Sequence, residues 1–347
     1  MKSRLTISQF IEMKPYYISS ANNHSMGESL HQYVKMKMHH LLLEKQWKKI
    51  FVRGTHDRNH TIISSFEKSG KIENWQRPTA IVNESEITIF CFPGHYYVEH
   101  YASLISTYLA LNNMDPTTVA FQYPTEKECW NPIINSGLES IPISDWLIIG
   151  SGLTEIASSG IWQEIGNYTF SQQKSGSVSV TYLLCHHCFW GDILSRITRY
   201  LVSLGHKRVL FTAKVAGIRP DLIPNYHLAT GDTTVLDNRV WQWNNIFKDI
   251  KHPQLAFGTH LNSANTIMET KALHRFIKPY DFLDSEIGFF IQGSEEAEER
   301  SYLHFISNNL SKEHDENLSN ERNPEIIKKR NDLAPIIRSL IQQAINR

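Results

Sequence analysis

The chain has 347 residues, which is enough for one large hydrophobic core or for two ordinary ones. Its hydrophobic fraction of 41% and charged fraction of 20% are typical of globular proteins, and its formal net charge is zero. This balance excludes a global electrostatic attraction to nucleic acid or to an anionic membrane. The 17 histidines keep metal binding and proton transfer open as functions.

The cysteine content and the targeting signals indicate the cellular compartment of the protein. Four cysteines are too few for a disulfide scaffold in a chain of this length, so reduced and buried thiols are expected. The basic start of the chain is not followed by an apolar stretch of signal-peptide length. No segment approaches the roughly 20 apolar residues that a bilayer span requires. We therefore expect a cytoplasmic protein that binds neither a membrane nor nucleic acid.

The first 140 residues are predicted to form a separate α/β region. Residues 28–52 are helical in pattern, and residues 53–79 are rich in turn formers. Residues 86–92 are predicted to form a strand, and a helix with one apolar face follows to about residue 112. A looser stretch with four prolines, 116–142, leads out of this unit. The predicted domains are therefore residues 1–140 and 141–347.

After residue 144 the pattern becomes regular. The apolar run 146–149 enters Gly150-Ser151-Gly152, as a buried parallel strand entering a ligand loop would. The predicted elements that follow are a β-hairpin over 168–184, a helix over 192–204 with Asp192 as its N-cap and Gly205 as its stop, and a strand over 208–213.

Four segments of this second region carry a resemblance to a known family. Residues 178–218 combine a strand, a loop, a helix ending in Leu-Gly and a strand ending in a small-residue turn. Residues 149–153 form a Gly-Ser-Gly loop, and residues 282–288 and 305–309 carry Glu286 and Asn308. In their order along the chain, these four segments are similar to those of the nucleoside phosphorylases and nucleosidases, the purine nucleoside phosphorylase superfamily. The resemblance covers about residues 144–347 and none of the first 140.

The resemblance implies a fold and a reaction. It implies a three-layer α/β domain of the phosphorylase/hydrolase-like type with a mixed central sheet, preceded by an N-terminal α/β extension. The implied reaction cleaves the N-glycosidic bond of a nucleoside or nucleotide with a purine-type base, by phosphorolysis or by hydrolysis. Inorganic phosphate is then a possible co-substrate, no cofactor or metal ion is expected, and the family usually forms homo-oligomers.

This chemistry suits the residues that the resemblance places in the site. The transition state carries positive charge on the sugar and negative charge on the base, so the enzyme must hold both and direct a nucleophile to the anomeric carbon. The resemblance assigns Glu286 to the ribose hydroxyls, with Asp284 beside it among the substrate-binding residues. It assigns Asn308 to the base, where an amide donates a hydrogen bond but no proton, which favours a 6-oxopurine. Asn309 takes this place if the register is shifted by one residue.

The remaining predicted substrate-binding residues come from three loops, and two of them, Ser151 and Lys214, are expected to hold the anion or the polar end of the ligand. Ser151, between Gly150 and Gly152, offers a hydroxyl and backbone N–H groups. His186 and His187 lie in the second loop, which lacks the glycines of the family. Lys214 stands where a phosphate-binding Ser or Thr is usual, and would supply a point charge instead.

Two other kinds of function stay open. The altered loop and the amide of Asn308 also suit a sensor that binds a nucleoside without turnover. The run Cys185-His186-His187-Cys188 has the residue types of a zinc site, which would make a metal-dependent hydrolase. Contiguous residues at a strand end alternate faces, however, so they do not readily converge on one ion. His95 and His100 are further candidates for ligand contact.

Overall fold

The computed structural model describes residues 12–55, 79–157, 159–166, 168–185, 190–311 and 316–347. The predicted site residues His186 and His187, and most of the turn-rich stretch 53–79, lie outside these ranges. Within them the chain forms three β-sheets with helices packed between and around them. No helix in these ranges has the length and apolarity to cross a membrane. Cys91, Cys129 and Cys185 are buried thiols, as expected.

The N-terminal region builds a mostly parallel sheet. Its elements are helix α1 (Ser29–Lys35), helix α2 (His40–Glu44), strand β1 (Lys49–Arg53), strand β2 (Thr79–Asn83), strand β3 (Glu86–Phe90), helix α3 (His95–Leu111), strand β4 (Val119–Gln122) and helix α4 (Glu126–Ile134). The strands stand in the order β2-β3-β1-β4, with β1 parallel to both neighbours and β2 antiparallel to β3. Apolar residues at alternate positions of β1 and β3 point into the core.

The structure confirms β3 and α3 but corrects two predictions in this region. The single helix predicted over 28–52 is two short helices followed by β1, because Ile50 and Val52 alternate as buried residues of a strand. The stretch 116–142 is not loose, since it contains β4 and α4. Helix α4 begins with a capping box at Thr125, which satisfies its first N–H groups despite the prolines nearby.

The second sheet holds the first strand of the predicted regular region. From one edge to the other its strands are β15 (Glu299–Tyr302), β9 (Arg208–Thr212), β5 (Trp146–Gly150), β8 (Val178–Cys185), β7 (Tyr168–Ser175) and β6 (Gln163–Ile165). Strand β5 is fully buried and lies parallel to β8 and β9 on its two sides. The predicted hairpin is confirmed as β7 and β8.

The third sheet is closed into a ring of five strands with one further strand at its side. Its strands are β10 (Lys214–Gly217), β11 (Leu228–Leu236), β12 (Arg239–Gln242), β13 (Leu255–Asn262), β14 (Phe282–Asp284) and β16 (His304–Asn309). Pairing of β11 with β16 closes the order β11-β13-β14-β10-β16, and β12 extends β11. Only Ala213 separates β9 from β10, and only Leu303 separates β15 from β16, so two chain segments run through both sheets.

Helices cover both faces of the second sheet. They are α5 (Leu153–Ala157), α6 (Asp192–Ser203), α8 (Ile287–Gly293) and α9 (Pro324–Ile345), whereas the short helix α7 (His274–Ile277) packs against the third sheet. Side chains of β5 alternate, with Leu147 and Ile149 in one core and Trp146 and Ile148 in another. Residues of α6 and α8 belong to the first core and residues of α9 to the second, which confirms the predicted three-layer α/β class with a mixed sheet.

The N-terminal region shares its main hydrophobic core with the second region. Residues of α1 and α3 belong to the same buried cluster as residues of α6 and α8. Asp192 joins the two regions directly, because its carboxylate accepts hydrogen bonds from the backbone N–H groups of His95 and Tyr96, at 3.0 and 3.1 Å. Asp192 was predicted to cap its own helix, but Gly191 is the N-cap of α6 and Asp192 caps α3 instead. The domain boundary at 140/141 stays a prediction.

Candidate functional site

Two cavities lie where the second and third sheets meet. The small cavity, of about 60 Å³, is lined by Asp284, Glu286 and Asn308, together with Lys214. The large cavity, of about 520 Å³, is lined by Ser151 and Gly152 and again by Lys214. The structure therefore divides the predicted site residues between two cavities, and Lys214 lines both.

A β-bulge places Asn308 at the small cavity. In the pairing of β10 with β16, Val215 lies opposite Ile306 and Ala216 lies opposite Asn308, so Ser307 is an extra residue. Ser307 and Asn308 both line the cavity, and the Ser307 hydroxyl donates to Asn308 Oδ1 at 2.8 Å. A bulge of this kind re-aims the side chains next to it.

Asn309 has a different role from Asn308. Its amide nitrogen donates to the backbone carbonyls of Arg219 and Leu222, both at 2.7 Å. Its Oδ1 accepts from the backbone N–H and the hydroxyl of Ser311. With its hydrogen-bonding groups committed to these neighbours, Asn309 holds a loop. The one-residue alternative raised by the sequence is therefore not at the cavity.

Asp284 organises the turn that presents Glu286. Its Oδ1 accepts the backbone N–H groups of Glu286 and Ile287 at 2.9 Å each, and it lies 2.9 Å from His260 Nε2. Burial alone would raise the pKa of Asp284. The interactions of Asp284 with His260 and His304, together with these hydrogen bonds, outweigh burial and hold the pKa of Asp284 below its ordinary value. Asp284 is thus an ionised residue that fixes the start of α8.

Glu286 is the N-cap residue of α8 and faces the small cavity. Burial, with the charge of Asp284 second, raises the pKa of Glu286 to about 8, although Lys214 acts in the opposite direction. Near neutral pH this carboxyl is therefore mostly protonated. The sequence predicted a carboxylate at this position, whereas a neutral carboxyl both donates to and accepts from a sugar hydroxyl.

Two histidines behind Asp284 were not singled out from the sequence. His260 Nδ1 lies 2.7 Å from Thr234 Oγ1, and the ring is fully buried. His304 is fully buried between Phe211 and Tyr302, with Nε2 3.9 Å from Asp284 Oδ2. Burial lowers the pKa of His304 to about 4, so the ring is neutral at physiological pH. Among the residues that the structure describes, neither ring nitrogen of His304 has a hydrogen-bond partner.

The charge of Lys214 is partnered within the protein. Its ammonium group forms an ion pair with Glu321, whose carboxylate lies 3.5 Å from Arg330 Nη1. Arg330 in turn donates through Nε to Asn225 Oδ1 at 2.8 Å and lies over the ring of Phe305. The large cavity thus has a network of two cations and one carboxylate on its wall.

The Gly-Ser-Gly loop is shaped by close packing of two strands. A Cβ atom on Gly150 would lie 1.7 Å from the carbonyl oxygen of Thr212, so only glycine fits. The Ser151 N–H donates to the same carbonyl at 3.0 Å, and Gly152 has a φ of +69° with open space around it. Gly150 therefore positions the loop, while Ser151 and Gly152 face the large cavity.

The N-terminal region packs behind the wall of the small cavity. His100 of α3 stacks on Trp190, with ring centroids 4.0 Å apart, and its Nδ1 lies 2.7 Å from Asn265 Oδ1. Burial lowers the pKa of His100 to about 3. His95 instead contacts the backbone carbonyl of Pro124, away from both cavities. Of the two candidates from the sequence, His100 is the one beside the site, behind Trp190.

Glu269 lines the small cavity and was missed from the sequence. It is 5% exposed, and its Oε2 has no hydrogen-bond partner among the residues that the structure describes. Burial raises the pKa of Glu269 to about 8. Within the same part of the chain, no group of three or more His, Cys, Asp or Glu side chains is arranged to hold a metal ion.

Comparison with known proteins gives similarity in structure but not in sequence. No family model and no curated protein sequence matches the chain. Among solved structures, it is similar to the 5′-methylthioadenosine/S-adenosyl homocysteine nucleosidase of Campylobacter jejuni, with 11% identity, a TM-score of 0.45, and coverage of 58% of this chain and 98% of that one. It is also similar to a methylthioadenosine phosphorylase of Schistosoma mansoni, with 11% identity, a TM-score of 0.43, and coverage of 59% and 91%.

A third similar structure is the 5′-methylthioadenosine nucleosidase of Arabidopsis thaliana, with 8% identity, a TM-score of 0.45, and coverage of 59% of this chain and 96% of that one. These neighbours are nucleosidases and phosphorylases, the class that the sequence motifs resemble.

Proposed function

We propose that this protein cleaves the N-glycosidic bond of a nucleoside or nucleotide with a purine-type base. The observation that carries the proposal is the meeting of Lys214, Glu286 and Asn308, from three distant parts of the chain, around one cavity. These are a cation, a carboxyl group that holds sugar hydroxyls, and an amide that recognises the base. Such a set matches the charges that develop when a base leaves a sugar.

The two cavities suggest how the ligand lies. A volume of about 60 Å³ is too small for a whole nucleoside, whereas about 520 Å³ falls in the range of small-molecule sites. We place the sugar–base junction at the small cavity, beside Glu286 and Asn308. The polar end of the substrate, or inorganic phosphate, then lies toward Ser151 of the large cavity and toward Lys214, which lines both cavities. Water or phosphate is the nucleophile in this scheme.

A product screen tests the proposal. Purified protein is incubated with inosine, guanosine, adenosine and their 5′-monophosphates, with and without phosphate, and free base is measured by chromatography. We expect base release that falls at least about 100-fold in Glu286→Ala and in Asn308→Ala. Glu296→Gln changes an exposed carboxyl outside both cavities and serves as the control. A requirement for phosphate would identify the nucleophile. Absence of free base from every substrate would refute the proposal.

A nucleoside sensor without turnover is the second candidate. Asn308 cannot supply a proton to the base, and the ion pair of Lys214 with Glu321 reduces the positive charge that Lys214 offers to a nucleophile or a leaving group. Calorimetric titration with inosine that gives binding, together with the absence of hypoxanthine after prolonged incubation, would select this function. We also propose a homo-oligomer in the cytoplasm, as the resemblance implies, and size-exclusion chromatography with light scattering tests the oligomeric state.

A further inference from the structure

Glu269 is held in place at the wall of the small cavity. It directly follows a 3-10 turn, Thr266–Met268, and its backbone N–H donates to the carbonyl of Thr266. Its own carbonyl accepts the N–H of Ser25 at 2.9 Å, so the N-terminal region fixes its position. The carboxyl group lines the same cavity as Glu286 and Asn308. A buried carboxyl oxygen without a hydrogen-bond partner among the described residues is costly to bury, and it suits a group whose partner is a ligand.

The proposed reaction calls for a proton donor beside the base. Asn308 donates a hydrogen bond from its amide but cannot transfer a proton. A purine base leaves more easily when one of its nitrogens is protonated as the bond breaks. Building on the proposed function, we propose that Glu269 is the catalytic residue that protonates the departing base, with Asn308 orienting it.

Atoms and electrons balance in this step. The C–N glycosidic bond breaks, and both of its electrons stay on the base nitrogen. The Glu269 carboxyl gives its proton to the base, which leaves as the neutral species. The sugar cation forms a C–O bond with water or with inorganic phosphate, which loses one proton. That proton restores the Glu269 carboxyl through solvent, so Glu269 ends each turnover as it began.

The surroundings of Glu269 support a donor that already holds its proton when turnover begins. Its pKa of about 8 keeps the carboxyl protonated at neutral pH. His100, which stacks on Trp190, has a pKa of about 3 and is held by Asn265, so it does not compete as an acid. The titratable groups that the structure describes on the elements around the cavity include His24, Tyr33, Lys214, His260, Asp284, Glu286 and His304.

Glu286 is the other protonated carboxyl of this cavity, and the experiment must separate the two. The experiment compares two substrates. The leaving group of 4-nitrophenyl β-D-ribofuranoside departs without a proton, whereas the base of inosine needs one. A general acid is needed only for inosine, whereas a residue that grips the sugar is needed for both substrates. Loss of general acid catalysis typically costs about 10²- to 10⁴-fold in rate.

The test compares the wild type with Glu269→Gln, Glu269→Asp and Glu286→Gln on both substrates. We expect Glu269→Gln to lower inosine turnover by about 10²- to 10⁴-fold and to leave nitrophenyl riboside turnover within about threefold of the wild type. Glu269→Asp keeps an acid and should retain part of the inosine activity. Glu286→Gln should lower both activities. In the wild type the ratio of the inosine rate to the nitrophenyl riboside rate should decline above pH about 8, because Glu286 affects both rates, and this decline should be absent from Glu269→Gln.

Several outcomes would overturn the inference while the proposed function stands. One is that Glu269→Gln loses activity equally on both substrates, and another is that Glu269→Gln leaves the rate on inosine unchanged. A third is that Glu286→Gln, and not Glu269→Gln, loses activity on inosine selectively. If the wild type cleaves neither substrate, the proposed function fails as well. If thermal unfolding shows that Glu269→Gln does not fold, Glu269→Asp decides. An inosine-selective loss then supports the role, and equal losses overturn it.

Discussion

The buried carboxyl of Glu269 should make stability depend on pH in a way that one variant removes. In the folded protein its pKa is about 8, against an ordinary value of 4.5. Between these values the folded state holds a proton that the unfolded state has lost, so stability falls as pH rises through this window and levels off above it. Each unit of pKa difference corresponds to about 1.4 kcal/mol. The shift therefore predicts that the free energy of unfolding falls by about 3 to 5 kcal/mol between pH 4.5 and pH 8.

Glu269→Gln keeps the size of the side chain and has no proton to lose. We expect the variant to match the wild type in unfolding free energy near pH 4.5 and to exceed it by about 3 to 5 kcal/mol at pH 8. Urea denaturation followed by tryptophan fluorescence at pH 5, 6, 7, 8 and 9 measures the difference. Using differences cancels the contribution of Glu286, whose pKa is also raised.

Glu296→Gln, on an exposed carboxyl, is the matched control and should show no such trend. A difference between wild type and Glu269→Gln that stays constant across this pH range would refute the reasoning. It would mean that Glu269 ionises in the folded protein as it does in water. A stability gain at pH 8 together with a loss of turnover would place Glu269 among residues that are kept for function at a cost in stability.

Five further variants test the geometry, each by urea denaturation. Gly150→Ala should cost more than about 3 kcal/mol, because its Cβ would lie 1.7 Å from a carbonyl oxygen, whereas Gly152→Ala should cost about 1 kcal/mol for its positive φ alone. Equal costs would contradict this. Asp192→Ala should cost about 3 kcal/mol, since the first N–H groups of α3 lose their acceptor, and a cost below about 0.5 kcal/mol would count against the cap. Asn309→Ala should cost about 2 kcal/mol through its two lost hydrogen bonds. Asn308→Ala should be nearly neutral in stability and should abolish base release by chromatography; the reverse pattern would exchange their roles.

The second region could be predicted from sequence because its signals are local. The apolar run at 146–149 and the helix over 192–204 each carry their periodicity within one element. The strand β1 was missed because its partners, β3 and β4, lie more than 30 residues away, and pairing with them overrides a helical pattern. Asp192 was assigned to its own helix for the same reason, since the α3 N–H groups that it caps are 96 and 97 residues distant.

The site was partly predictable. Asp284, Glu286 and Asn308 stand in motifs that can be recognised in the sequence, and the structure brings them to one cavity. No neighbouring sequence motif marks Glu269 or His260 as a site residue, because both matter only through their burial in the folded protein. His260 meets Asp284 only because β13 and β14 are parallel neighbours that place residues 260 and 284 close together. A sequence without its sheet register cannot reveal such a pair.

The two chain segments that run through both sheets restrict how the length of this protein can change. Lys214 directly follows the single-residue break at Ala213. Asn308 lies in β16, the strand that follows the break at Leu303. One inserted or deleted residue at either break would turn the following side chains to the opposite face of the strand. Homologues should therefore differ along these segments by substitution alone. Insertions and deletions should instead collect in the connections outside the strands, such as residues 243–254 and 294–298.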